Sequence, residues 1–136
     1  MRLNLVVIGA LVAFAVTGCT PVFTVQRYGV RATVVDGASG TPIARHPILV
    51  TIDGKDFERK TGPDGRLVVR PDREWHWSWL GGPAYLGSPG ATIQIDGDGY
   101  APKEIIWSRH GLGPPSAGIS EEDGQINVGK VALSRR

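Results

Sequence analysis

Cys19 carries the most reactive side chain in this 136-residue chain and is its only cysteine. A lone thiol makes no internal disulfide, so it either stays free or is consumed as a nucleophile. Its position favours consumption. Upstream lie one cation, Arg2, and an uncharged apolar run over residues 5–16, ending in Val16-Thr17-Gly18-Cys19. A charged start, an apolar middle and small residues before a cut describe a secretory signal. The run is too short for a membrane span, which takes roughly 20 residues. Residues 1–18 are therefore expected to be removed.

Aromatic chemistry is the second candidate. Trp75, Trp77 and Trp79 alternate, so an extended segment would present three indoles on one face, with Tyr85 close behind. Two readings stand. In one, the stripe closes or fills the core, with His76 and Ser78 facing water. In the other, the indoles are partly exposed and bind a protein partner or a glycan, with Arg70 and Arg73 adding hydrogen bonds at the rim.

Other chemistries find little support. His46, His76 and His110 lie 30 and 34 residues apart, with no short pairing that would set two ligands on one face, so no metal is expected. Asp96-x-Asp98-Gly99 opens like a calcium loop, but its twelfth position is Trp107 where an acid would close the site; a turn before Tyr100 is the better reading. Neither a Gly-x-Ser-x-Gly elbow nor a strand-to-helix phosphate loop occurs. Glu121-Glu122-Asp123 reads as a solvated loop. No catalytic residue is assigned and no enzyme activity is expected.

The Val16-Thr17-Gly18-Cys19 segment resembles the lipobox of bacterial lipoproteins. That resemblance implies a diacylglycerol on the Cys19 sulfur and acylation, for example by palmitate, of the amine freed by cleavage. One acyl chain holds a protein to a bilayer only reversibly, and two or three hold it firmly. Thr20 stands where lipoproteins of the inner membrane usually carry aspartate, so the resemblance points to the outer membrane, on its periplasmic leaflet. The covalent lipid on Cys19 is the only non-protein group expected, and the membrane the first partner.

Without residues 1–18, 14 cations face 13 anions. They are interspersed, so neither nucleic acid nor a basic membrane-binding patch is suggested. Nineteen glycines and ten prolines fall between short β-branched runs, the pattern of an all-β domain. Strands are expected over 30–35, 48–52, 57–61, 66–70, 91–95, 103–107 and 126–133, the last slipping phase near Gly129 as a bulge would. Val30, Ala32, Val34, Ile48, Val50, Ile52, Leu67 and Val69 should point inward. Residues 19–29 read as a lipidated tether, 71–90 as an insertion, and 108–123 as a long loop.

The turn residues occur in a familiar order: Val34-Val35-Asp36, Gly40-Thr41-Pro42-Ile43, Ile48-Leu49-Val50, Thr61-Gly62-Pro63-Asp64-Gly65-Arg66-Leu67 and Ile95-Asp96-Gly97-Asp98-Gly99-Tyr100. Over residues 30–134 this resembles the carboxypeptidase regulatory-like domains of the transthyretin-like class. It implies an antiparallel Greek-key sandwich over 30–136. That class includes hydroxyisourate hydrolases, which the chain departs from: Thr33 stands at their histidine and Leu133-Ser134-Arg135-Arg136 at their closing Tyr-Arg-Gly-Ser, although Arg66 matches their arginine. The expected function is a lipid-anchored, non-catalytic binding or accessory module of the cell envelope. A glycan- or peptidoglycan-binding module is the alternative, and a hydrolase of the transthyretin-like class a third, unlikely reading.

Overall fold

The structure, a computed structural model, describes residues 20–78, 90–109 and 118–136. Among these there is no helix, and ten strands account for most of the described residues. They are β1 (Thr20–Arg27), β2 (Gly29–Asp36), β3 (Pro47–Ile52), β4 (Lys55–Lys60), β5 (Arg66–Val69), β6 (Asp72–Ser78), β7 (Gly90–Gly97), β8 (Lys103–Ser108), β9 (Ser120–Glu122) and β10 (Gln125–Leu133). Among the described residues two compact units form, one over 27–72, 90–109 and 118–136, the other over 20–26 and 73–78.

The larger unit is a sandwich-like pair of four-stranded sheets, ordered β5-β2-β10-β9 and β4-β3-β7-β8. Alternation along each strand sends one set of side chains between them. From the first sheet come Val30, Ala32, Val34, Leu67, Val69, Ile126, Val131 and Leu133; from the second, Ile48, Val50, Ile52, Ala91, Ile93, Ile95 and Trp107. All are buried, including every inward position the alternation predicts. Burying each aliphatic side chain contributes about 1.5–3 kcal/mol, and this core replaces the disulfide the chain cannot make. Tyr28 joins it, its ring edge-on to Trp107 at 5.1 Å.

Tight turns join neighbours where the sequence supplies them. Asp53-Gly54 links β3 to β4, and Asp123-Gly124 links β9 to β10, all four residues having positive φ. Such two-residue turns match the right-handed twist of the flanking strands. In β10 the register shifts between Asn127 and Gly129, whose φ of 66° identifies the expected bulge.

The arrangement departs from an all-antiparallel sandwich in one respect. β2 and β10 run parallel, from Ile126 opposite Val30 to Leu133 opposite Asp36. A parallel pair needs a crossover, and here the intervening chain, including the second sheet, supplies it. Asp36 then fastens the two ends: its carboxylate accepts from Arg135 Nε at 2.8 Å and from the amides of Ala38 and Ser39.

Three segments outside the expected regular strands contain strands. Residues 20–27 of the tether, whose end the sequence allows as a first edge strand, form β1; the 71–90 insertion, with its extended indole segment, begins with β6; and β9 lies in the 108–123 loop. β1 and β6 make a two-stranded ribbon of their own, in which Gln26 Nε2 donates to Glu74 Oε2 at 3.2 Å. Each is marked weakly in sequence because its partner is distant or it is very short.

Alternation also sorts charges that are mixed in sequence. On the outer face of the second sheet the register gathers Asp56, Glu58, Asp96 and Glu104, with Lys60 at its end. The outer face of the first gathers Arg31, Arg66 and Lys130, with Glu122 at its edge. One face is acidic, the other basic.

Candidate functional site

β6 sets Trp75 and Trp77 two residues apart on one side of an extended strand, the alternation that puts side chains i and i+2 together. They are 66% and 69% exposed, while Trp107 is only 8% exposed. Two of the three indoles of the stripe thus lie at the surface, outside any core. Trp79, Tyr85 and Cys19 lie outside the described residues, as does His110. Around the indoles, Arg73 and Glu74 are exposed on the same strand, and Glu74 is tied to Gln26 of β1. An exposed indole offers a flat apolar face and an N–H donor at its edge, which suits a partner surface or a sugar ring.

The remaining candidates fall into ordinary structural roles. His46 places Nε2 3.0 Å from the Asp98 carbonyl and packs edge-on against Tyr100 at 5.7 Å. No group of three or more His, Cys, Asp or Glu suited to a metal occurs among the described residues. Asp96 pairs with Arg136 at 3.3 Å, and the Tyr100 amide donates to the Gly97 carbonyl, closing a turn at the calcium-like motif. Thr33 and Arg66 are register partners on the outer face of the first sheet. Glu121 is not part of an open loop: it pairs with Arg109 at 3.2 Å and caps the β9–β10 turn by accepting from the Gly124 amide.

Sequence reasoning missed a second surface feature, on the sandwich itself. A cleft of about 560 Å³ is lined by Arg27, Arg59, Val68, Arg70, Pro71 and Asp72. Arg27 Nη2 donates to the Arg70 carbonyl at 3.3 Å, and its guanidinium carbon sits 4.4 Å from the centre of the Phe57 ring. Its Nε and Nη1 are buried without a hydrogen-bond acceptor. Arg70, expected at the rim of the indole stripe, belongs to this cleft. Its sequence signal is three arginines in three separate segments, which cannot be read without knowing that they converge.

Among ionisable groups, Asp36 is the most strongly perturbed of those described. The hydrogen bond from Arg135, then the Ser39 and Ala38 amides, hold its carboxyl at about 2. Burial raises the Tyr28 hydroxyl above its ordinary value. Both groups are structural. Set against known protein families and against curated proteins, the chain finds no match, so its function has to be argued from these side chains.

Proposed function

We propose that this chain is a lipid-anchored lipoprotein of the cell envelope, facing the periplasm from the outer membrane. Its sandwich, of the carboxypeptidase regulatory-like, transthyretin-like Greek-key type, serves as a non-catalytic binding or accessory module. The observation that carries the binding role is the exposure of Trp75 and Trp77 on one side of β6. A tryptophan buries 150–250 Å² in a typical core or interface, so two left in water are a standing cost unless a partner covers them. Indoles are also the side chains most often found to dominate interface energetics.

What supports the fold type is the way the chain passes between sheets: β2 in one, β3 and β4 in the other, β5 back in the first, β7 and β8 in the second, and β10 beside β2. The anchor is supported by the single cysteine behind the apolar run and by Thr20 after it.

Crosslinking in intact cells tests the binding role. A Trp75→Ala/Trp77→Ala double variant should lose the envelope protein that crosslinks to the wild-type chain while keeping its abundance. Equal crosslinking yields from both proteins would refute the docking role. Tryptophan fluorescence that changes with soluble glycan fragments, with no protein crosslink, would replace the partner by a sugar.

A further inference from the structure

We propose that the cleft between β4 and β5 binds a phosphomonoester through Arg27, Arg59 and Arg70. This does not rest on the indoles or on the anchor.

Charge comes first. Three guanidinium groups and one carboxylate, Asp72, line the cleft among the described residues, leaving an excess of two positive charges. That excess matches a phosphomonoester dianion better than a carboxylate, and three terminal oxygens give each arginine an acceptor. Arginine is the side chain best shaped for this task, because its donors lie in a rigid plane.

Pre-organisation comes second. Arg27 is clamped by the Arg70 carbonyl and by the Phe57 ring, with its Nε and Nη1 buried and without an acceptor. An aromatic face stabilises the charge of a guanidinium but offers its N–H groups no lone pair. Buried polar groups are normally satisfied, and orphaned donors of a charged group are costly. An oxyanion lodged beside Arg27 would supply the counter-charge and acceptor that its surroundings lack.

Size comes third. About 560 Å³ is far more than one phosphate fills, and Val68 and Pro71 supply an apolar wall. The phosphate therefore arrives on an organic body, either a soluble ester or a lipid headgroup.

Titration calorimetry of the full chain with glycerol 3-phosphate, and its binding to phosphatidylcholine vesicles with and without phosphatidic acid, separates those sources. Binding in either arm supports the proposal, and the arm identifies the source; binding in neither overturns it. Affinity for glycerol 3-phosphate should rise about tenfold from pH 5 to 7, as the phosphate loses its second proton near pH 6. Arg59→Gln or Arg70→Gln, both at exposed positions, should weaken binding at least about tenfold. Lys130→Gln, on β10 and outside the cleft lining, should leave it unchanged; an equal loss there would reduce the effect to diffuse charge. A new slowly exchanging arginine Nε–H resonance on adding phosphate reports Arg27 without any variant. Acetate binding as tightly as the phosphate ester would overturn the assignment.

Discussion

Asp36 shows how one side chain couples the fold to pH. Its carboxyl, at about 2 when folded, sits below the ordinary 3.8 because Arg135 and two amides stabilise the charged form. A value lowered by folding adds stability that is complete above about pH 4 and is lost as the pH falls towards 2. Urea unfolding across that window should show the wild-type midpoint falling, and Asp36→Asn should flatten the fall while lowering stability at neutral pH. A midpoint independent of pH in the wild type would contradict the role given to this ion pair. Gly65 makes a similar single-residue demand. With φ at +75° and the Val34 carbonyl 2.6 Å from where a Cβ would stand, Gly65→Ala has to distort the β2 contact. A left-handed alanine alone costs roughly 1–2 kcal/mol, so a loss of about 2 kcal/mol or more is expected by chemical denaturation.

At the scale of elements, the contrast between β7 and β6 separates core from surface. Ile93 is fully buried on β7, so Ile93→Ala should cost about 2–5 kcal/mol, read from the shift in unfolding midpoint. Trp77→Ala on β6 should change stability by no more than about 0.5 kcal/mol, since it removes exposed surface. A large loss at Trp77 would mean the indole holds the fold together. Edges also differ. β4 closes one side of its sheet with Lys-Asp-Phe-Glu-Arg-Lys, a charged strand that discourages edge-to-edge pairing. β8 closes the other with Ile106 61% exposed. β7 was legible from its alternation of apolar and polar residues. β6 was legible only as an extended indole segment and not as part of a sheet, because Pro71 interrupts the rhythm and its partner β1 lies some fifty residues upstream.

For the whole molecule, the proposed membrane anchor can be tested at one atom. Cys19→Ser should abolish labelling by a fatty-acid analogue and leave the chain in the soluble fraction; label that persists would remove the lipid anchor from the proposed function. The sandwich has an acidic outer face around Asp56, Glu58, Asp96 and Glu104 and a basic one around Arg31, Arg66 and Lys130. Exposed charges act over about 10 Å at moderate salt, so such a separation orients the domain only against a nearby surface.

By itself the sequence determined which residues are apolar and in what rhythm, and hence the inward faces of β2, β3 and β5, the Asp53-Gly54 turn and the Gly129 bulge. Those are short-range properties, set by alternation and by the φ values each residue tolerates. Only the tertiary structure decided that β10 runs parallel to β2, that scattered charges segregate to opposite faces, that two indoles stand in water, and that Arg27, Arg59 and Arg70 line one cleft. Each of these depends on which distant strands pair and in what register. That choice is made by the fit of the whole core, because a one-residue slip would turn every inward side chain to solvent.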